Sequence, residues 1–531
     1  MLFTSYHFIV FLAILFLLYY SVPKRWQWGL LLAASYLFYA CAGLRFLIYI
    51  GVTTVSTWYA GLRIGKIRQQ YTEYRKLHKA EMTKEEKKSH KQEEKKKQRV
   101  WLLLCLFFNF GILAVVKYTN FAIANVNYFL EQAGREPFGF LSIALPMGIS
   151  FYTFQSMGYL IDVYRGTCEP EKQAGKFALF VAFFPQLIQG PISRFGDLSK
   201  TLYTAHSFDK KQVIFGLERI LWGFFKKLVI ADRIVAGVNT IIHDPENFQG
   251  IYVFVGMLFY AYELYADFTG GIDITIGTAQ VLGIQVKENF ERPYFSKSIK
   301  EYWRRWHITM GTWFTDYIFY PISVSTPMLK LSKFSRRRFG EAVGKRAPVY
   351  LSTILVWFTT GIWHGASWNF IVWGLMNCVV ILVSQELEPF YRWFHAHFDV
   401  RRGRLRLFAA FQVCRTVLLM SALRMFDCYR DVPLTFRMFG NMLVKSDISV
   451  LLQGGMMKLG LTAADYVILA IGLAVLGGVS LKQRRGSVRE ALYQKPMAVQ
   501  FAAVYLLFFS VLLFGAYGIG YDAGQFIYNQ F

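Results

Sequence analysis

The chain has 531 residues, of which 54% are hydrophobic, 18% aromatic and 18% charged, and its formal net charge is +25. This composition is more apolar and poorer in charge than that of soluble proteins, and disorder would require low hydrophobicity. It therefore excludes an ordinary soluble protein and a disordered chain, and it predicts an all-α, polytopic integral membrane protein.

Windows without any Asp, Glu, Lys or Arg recur along the chain. A transmembrane helix needs about 20 mostly apolar residues, so the windows predict roughly ten to thirteen spanning or partly spanning helices in a single membrane domain over residues 1–531. The longest uncharged windows are Met1–Pro23, Trp26–Leu44, Phe46–Leu62, Val100–Val116, Pro137–Ile161, Phe177–Ser193, Ala347–Gln385 and Pro496–Tyr521.

Two basic segments interrupt the apolar windows. Residues 63–99 carry 14 Lys or Arg against 6 Asp or Glu, and residues 481–497 carry 5 against 1. A basic protein either binds nucleic acid or follows the positive-inside bias of membrane proteins. Because no nucleic-acid-binding motif accompanies the charge, we interpret both segments as cytoplasmic loops and expect no nucleic-acid partner. The mixed charge of residues 63–99 is typical of a solvated helical hairpin or a disordered loop.

These two basic segments also orient the chain. Three predicted spans precede residues 63–99, which places the N-terminus outside the cytoplasm. The last predicted span runs outward from residues 481–497, so the C-terminal tail at residues 522–531 is predicted to be extracytoplasmic as well.

An acidic cluster follows the apolar window at residues 248–262. Its members are Glu263, Asp267 and Asp273. Charged side chains at membrane depth are costly and need partners, and Arg304 and Arg305 are the candidate partners in sequence. Two interpretations stay open: a structural salt bridge inside the helix bundle, which we prefer, and a functional site.

His307 lies in an amphipathic segment at residues 296–316. Apolar residues recur there at three- and four-residue steps, which predicts one helix with a buried stripe that includes Trp303, Trp306 and His307. Such a helix suits the membrane interface or the wall of a buried pocket. The histidine is therefore either a packing residue or a pocket residue.

His364 lies near the centre of Ala347–Gln385, a run of 39 residues without a charged side chain. A continuous helix of that length would extend about 58 Å, whereas the hydrocarbon core of a bilayer is about 30 Å thick. The run must therefore break, cross twice or lie partly in the interface, and the small residues within Thr359–Trp368 suit a break. A histidine there can line a cavity and act as a general base, or it can be a structural residue bonded to a carbonyl.

Metal and disulfide chemistry find no support in the sequence. None of the six cysteines forms a CxxC pair, and no phosphate-binding glycine loop or serine nucleophile elbow is present. We therefore expect no metal site and no bound cofactor.

The motif Trp-His-Gly-Ala-Ser-Trp at residues 363–368, followed by Asn-Phe-Ile-Val-Trp-Gly, resembles the signature of the membrane-bound O-acyltransferase (MBOAT) family. It is similar to the bacterial branch that includes the alginate O-acetyltransferase membrane subunit and the teichoic-acid D-alanyl transfer protein. The similarity continues at residues 145–166, 184–194, 288–294 and 301–307.

The resemblance implies a multi-helix fold around a central tunnel with an essential histidine in the middle. It implies that His364 is the catalytic histidine, which deprotonates an acceptor hydroxyl or assists acyl handover, and that His307 supports it. The residues expected to form or support the pocket are Trp363, Trp303, Trp306, Arg304, Arg305, Asp267, Asp273 and Asn289.

The last residues of the chain, Phe526–Phe531, resemble the short aromatic C-terminal motif of this branch, although Asn529 stands where phenylalanine is usual. The resemblance makes Tyr528 a candidate acyl relay near the outer surface. The alternative, which we prefer, is that the aromatic residues anchor the tail in the membrane interface.

The leading hypothesis is an O-acyltransferase of the bacterial cell membrane. It takes an acyl group, most simply acetyl, from acetyl-CoA or from a phosphopantetheine carrier protein in the cytoplasm and moves it across the bilayer. An extracytoplasmic esterase-like partner then places the group on an extracellular polysaccharide. The alternatives are D-alanyl transfer to teichoic acid, and a transporter or flippase without covalent chemistry.

Overall fold

The computed structural model describes residues 3–397 and 405–517. Within these ranges the chain is helical, and the only β pairing is an isolated bridge between Phe290 and Trp306. The all-α prediction is therefore confirmed. The predicted tail at residues 522–531, with Tyr528, lies outside the described ranges.

The described helices are numbered in chain order. The first twelve are α1 (Tyr6–Ser21), α2 (Gln27–Ala40), α3 (Leu47–Leu77), α4 (Lys84–Gln132), α5 (Ile149–Arg165), α6 (Ala174–Ala182), α7 (Phe184–Leu187), α8 (Phe195–Leu202), α9 (Lys210–Phe224), α10 (Asp232–His243), α11 (Ile251–Val281) and α12 (Ile299–Arg305). The next twelve are α13 (Ile308–Phe314), α14 (Tyr320–Ser323), α15 (Thr326–Phe339), α16 (Glu341–His364), α17 (Trp368–Glu386), α18 (Glu388–His397), α19 (Leu405–Tyr429), α20 (Val432–Val444), α21 (Ser449–Leu452), α22 (Ala463–Lys482), α23 (Val488–Tyr493) and α24 (Met497–Phe514). Two π-helical turns, Phe225–Ala231 and Thr315–Phe319, continue α9 and α13.

The described residues form two compact units. The N-terminal unit comprises the chain up to Ile214 together with Thr278–Val286, and the C-terminal unit comprises Phe215–Gly277 together with the chain from Lys287 onward. Every candidate site residue within the described ranges belongs to the C-terminal unit. The single-domain organisation expected from the sequence stays a prediction.

Six of the described helices are long and apolar enough to cross a membrane, and a seventh span results if the bent pair Lys24–Ala40 and Leu44–Leu77 is counted as one. The six are Lys84–Gln132, Ile251–Val281, Trp368–Glu386, Leu407–Tyr429, Ala463–Lys482 and Met497–Phe514. Several other apolar windows fold as shorter helices, such as α1 with 16 residues and α5 with 17. The chain is therefore a multi-pass membrane protein.

Residues 63–99 of the N-terminal unit form a helical hairpin. Helix α4 has 49 residues, so at 1.5 Å per residue it is about 74 Å long and extends well beyond a bilayer. Thr83 and Glu86 form a reciprocal capping box at its start, and the buried Glu94 accepts from Arg75 at 2.7 Å. These contacts favour the hairpin among the two interpretations of this basic segment.

The apolar window Pro137–Ile161 differs from the prediction in its first half. Helix α5 begins only at Ile149, and the preceding residues are not helical. Two asparagines of α4 form hydrogen bonds with the backbone of this stretch. Asn127 exchanges two hydrogen bonds with the Phe138 backbone at 2.7 and 2.8 Å, and Asn120 exchanges two with the Leu141 backbone. Side-chain amides thus replace the hydrogen bonds of a helix.

In the C-terminal unit, the 39-residue uncharged run is broken as predicted. Helix α16 ends at His364, helix α17 begins at Trp368, and residues 365–367 separate them. The two helices pack closely because two glycines face the neighbouring backbone. A Cβ atom at Gly361 would lie 2.5 Å from the Phe370 carbonyl oxygen, and one at Gly374 would lie 2.4 Å from that of Trp357.

We predict that Gly374→Val destabilises the protein by about 1–3 kcal/mol, because the added side chain would force α16 and α17 apart. Chemical denaturation of the purified protein in detergent measures the effect. The matched control is Gly477→Val in α22, where an added Cβ meets no atom within 4 Å. Equal stability of the two variants would contradict the close packing of α16 on α17.

Candidate active site

His364 is the last residue of α16, directly before the non-helical residues 365–367. Its side chain is nearly buried, with 9% of its surface exposed, and its ring centroid lies 4.6 Å from that of Trp373 in an edge-on arrangement. The Phe370 ring stacks on its other side at 6.4 Å. Both aromatic rings belong to α17, so the first turns of the second helix position the histidine that ends the first.

The single helix predicted over residues 296–316 is wrong. Helix α12 ends at Arg305, Trp306 is extended, and His307 has a positive φ of 49° before α13 begins at Ile308. The periodicity of the apolar residues continues across this break, which is why the sequence did not reveal it. The prediction that His307 and Trp306 are buried is correct, since they are 0% and 2% exposed.

Asn289 holds the chain at this second break. Its side-chain oxygen accepts from the backbone N–H and the hydroxyl of Thr309 at 3.0 and 2.9 Å, and its carbonyl accepts from the Ile308 N–H at 2.9 Å. It thereby caps the start of α13 from outside the helix. A left-handed residue other than glycine is uncommon, so the surrounding contacts must maintain it. Asn289 is a support residue for His307.

Trp363 connects the two histidines. Its ring centroid lies 6.0 Å from that of His307 and 5.0 Å from that of His364, and both arrangements are edge-on. Phe268 of α11 contacts His307 on another side at 5.0 Å. The structure thus brings together both predicted histidines and Trp363 in one aromatic, water-poor environment.

Arg424 of α19 is a site residue that the sequence analysis missed. Its guanidinium carbon lies 5.8, 5.1 and 4.7 Å from the ring centroids of Trp303, Trp306 and Trp373, and its side chain is nearly buried. A guanidinium over the face of an indole ring is attracted by the ring quadrupole. The signal available in the sequence was an arginine directly after the apolar window at residues 407–423, followed three residues later by Asp427.

The charge of Arg424 is compensated on its own helix. Asp427 accepts from it at 2.9 Å, and both side chains are about 95% buried. Asn369, at the start of α17, donates to the Phe426 carbonyl oxygen at 3.1 Å and so fixes the broken end of the run to α19. The buried guanidinium of Arg424 therefore contacts one tryptophan beside each histidine: Trp306, which precedes His307, and Trp373, whose ring contacts His364.

The acidic cluster has partners other than those expected. Asp267 pairs with Lys227 at 2.5 Å, and Asp273 pairs with Lys226 at 2.6 Å and with Arg219 at 2.8 Å. The partners come from α9 and the π-helical turn that follows it, which favours the structural interpretation for Asp267 and Asp273. The third acid, Glu263, is buried, and one of its carboxylate oxygens has no hydrogen-bond partner among the described residues.

The expectation that Arg304 or Arg305 pairs with these acids is wrong. Arg305 pairs with Glu301 one turn earlier at 2.7 Å, and Arg304 is exposed. Both residues lie at the end of α12. Within the described ranges, no group of three His, Cys, Asp or Glu side chains is arranged to hold a metal ion.

The sequence is similar to known membrane-bound acyltransferases. The model of the membrane-bound O-acyltransferase family matches residues 172–426, which include both histidines. The chain is 36% identical to the probable alginate O-acetylase AlgI of Azotobacter vinelandii, over 73% of this chain and 69% of that relative. It is 28% identical to the peptidoglycan O-acetyltransferase of Helicobacter pylori, over 70% of this chain and 66% of the relative. It is 26% identical to the teichoic acid D-alanyltransferase of Bacillus subtilis, over 46% and 61%.

The chain therefore belongs to the membrane-bound O-acyltransferase family and is an O-acyltransferase. Its relatives include enzymes named for acetyl transfer and enzymes named for D-alanyl transfer.

We predict that Arg424→Gln destabilises the protein by about 3–5 kcal/mol, because the buried Asp427 loses its counterion. Arg424→Lys keeps the charge but not the planar group that lies over the three indole rings, so it should recover only part of the loss. Chemical denaturation in detergent measures both variants.

The control for this prediction is Arg437→Gln. Arg437 pairs with Glu246 at 2.7 Å, but both side chains are more than half exposed, so the change should cost about 0–1 kcal/mol. A loss for Arg424→Gln that is no larger than this would show that the buried guanidinium does not stabilise the site.

Proposed function

We propose that this protein moves an acetyl group from a cytoplasmic thioester across the membrane for O-acetylation of an extracellular polysaccharide. The donor is acetyl-CoA or an acyl-carrying phosphopantetheine protein, and an extracytoplasmic esterase-like partner completes the transfer to the glycan. The choice of acetyl rests on the relative named as an alginate O-acetylase, which is more similar to this chain than the D-alanyltransferase is.

The observation that carries the proposal is the pair of buried imidazoles that share Trp363. A neutral imidazole close to an acceptor hydroxyl can serve as a general base. His364 removes the hydroxyl proton as the oxygen forms a bond to the thioester carbonyl carbon. The carbon–sulfur bond breaks, the thiolate takes the proton from His364, and the products are an ester and a free thiol.

His307 has a different role in this scheme. It is fully buried between Phe268 and Trp363, whereas His364 stands at the break between two helices. We assign the proton transfer to His364, because residues 365–367 provide a gap in the helix, and we assign to His307 the support of Trp363 and of the acyl group.

The basic segments support a direction of transfer. The positive charge of the hairpin at residues 63–99 and of the segment at residues 481–497 favours a cytoplasmic donor side, with both termini extracytoplasmic. Helix α22 ends at the second basic segment, and its 20 residues extend about 30 Å, the thickness of a bilayer core. Tyr528 stays a candidate relay or interface anchor on the opposite side.

We predict that His364→Ala lowers the ester content of the exported polysaccharide by about 10²- to 10⁴-fold, the usual contribution of a general acid–base residue. Intact cells are grown with each variant at equal expression, the polysaccharide is saponified, and released acetate and D-alanine are both measured. Released acetate supports acetyl transfer. Released D-alanine would instead support D-alanyl transfer and overturn the choice of acetyl.

The control for this prediction is His78→Ala. His78 is a partly buried residue that follows the last turn of α3 in the N-terminal unit, away from the candidate site residues in sequence, so its loss should leave the ester content unchanged. Wild-type ester content in the His364→Ala strain would contradict the assignment of His364. An ester content that depends on His364 also counts against a transporter without covalent chemistry.

A further inference from the structure

A polar cavity of about 580 Å³ lies in the C-terminal unit apart from the histidines. One wall is the loop between α10 and α11, and the other is the segment between α20 and α22 that contains α21. Its volume falls within the range of small-molecule sites, which is about 300–1,000 Å³. Nothing in the acyl-transfer scheme uses this cavity.

The cavity is lined by charges of both signs. Lys445 and Lys458 contribute two cations, and Asp244 and Asp447 contribute two anions. The Lys445 ammonium donates to the Gln249 side chain at 2.7 Å, which leaves it two further donors. Hydrogen bonds from the hydroxyl and the backbone N–H of Ser449 lower the pKa of Asp447, so this carboxylate is ionised at neutral pH. The lining is therefore neutral overall and suited to a ligand that carries both charges.

The aromatic wall of the cavity adds a second observation. Tyr252 is 7% exposed and lines the cavity, and its buried hydroxyl has no hydrogen-bond partner among the described residues. The Phe248 ring packs edge-on against it at 5.1 Å. A buried hydroxyl without a partner is costly, so this wall of the cavity contains an unsatisfied polar group.

Exposed apolar side chains flank the lining residues Lys445 and Asp447 in sequence, and we take them as the rim of the cavity. Leu443, Val444, Ile448 and Leu452, which lie beside Lys445 and Asp447 in sequence, are between 68% and 85% exposed. The segment ends just before α22, at the end opposite to the basic residues 482–495. Because α22 is as long as a bilayer core is thick, a membrane spanned by α22 would have its surface near the start of this helix, and we infer that the rim lies at that surface.

We propose that the cavity binds the headgroup of a zwitterionic phospholipid that carries a primary ammonium, namely phosphoethanolamine. The ammonium donates to Asp244 and Asp447, and the phosphate accepts from Lys445 and Lys458. The acyl chains then lie along the exposed apolar rim. A saccharide could use the polar lining, but it would leave the rim uncovered, and for this reason we favour the lipid.

The test uses the full-length protein purified in detergent. Native mass spectrometry counts bound phosphatidylethanolamine, phosphatidylcholine and phosphatidylglycerol with identical acyl chains. The choline ammonium has no N–H to donate, and the glycerol headgroup has no cation. We expect phosphatidylethanolamine to bind about tenfold more tightly than either, as a lost hydrogen bond between charged groups implies.

Two variants locate the binding, and one control shows that the effect is local. Asp447→Asn should reduce the affinity for phosphatidylethanolamine to that for phosphatidylcholine. Lys458→Gln removes a contact to the phosphate that all three lipids share, so it should weaken the binding of all three. Lys482→Gln, an exposed cation at the other end of α22, should leave it unchanged. Equal binding of the three lipids would overturn the proposal, and so would equal binding of lipid and soluble glycerophosphoethanolamine. Binding of a neutral oligosaccharide that is lost in Lys458→Gln would replace the lipid with a glycan.

Discussion

A guanidinium buried among three indole rings is the interaction on which the candidate active site depends. Arg424 reaches Trp306, the neighbour of His307, and Trp373, whose ring contacts His364. Its charge is balanced by Asp427, one turn later on the same helix, so both members of the ion pair belong to α19. Removing one partner of a buried pair costs far more than an exposed pair is worth. One cation therefore fixes the aromatic surroundings of both histidines.

The second constraint is the length of the uncharged run. Thirty-nine residues cannot lie across a bilayer as one helix, so the chain breaks, and the break places His364 at a helix end rather than inside a continuous helix. Close packing at Gly361 and Gly374 keeps the two helices together across the break. A second break at Trp306 and His307, held by Asn289, lets the other imidazole reach Trp363. Two interruptions of helical structure thus build the site.

Sequence reasoning found the parts of this arrangement that depend on composition and length. It placed His364 at a break and His307 on a buried face, because both follow from charge and periodicity. It missed the break at His307, since a left-handed residue leaves the spacing of apolar residues unchanged. It also assigned the wrong partners to Asp267 and Asp273, because ion pairs between helices are set by packing and not by sequence distance. Arg424 was missed because its role appears only when α12, α17 and α19 come together.

In the proposed mechanism, His307 and His364 act as one unit through Trp363. A double-mutant cycle on the acyl-transfer rate tests it directly, with His307→Ala, His364→Ala and the combined variant at equal expression. Residues that act as a unit show strongly non-additive losses. We expect the double variant to be no slower than His364→Ala alone. Losses that multiply in the double variant would contradict it, since they would show that the two histidines contribute independently.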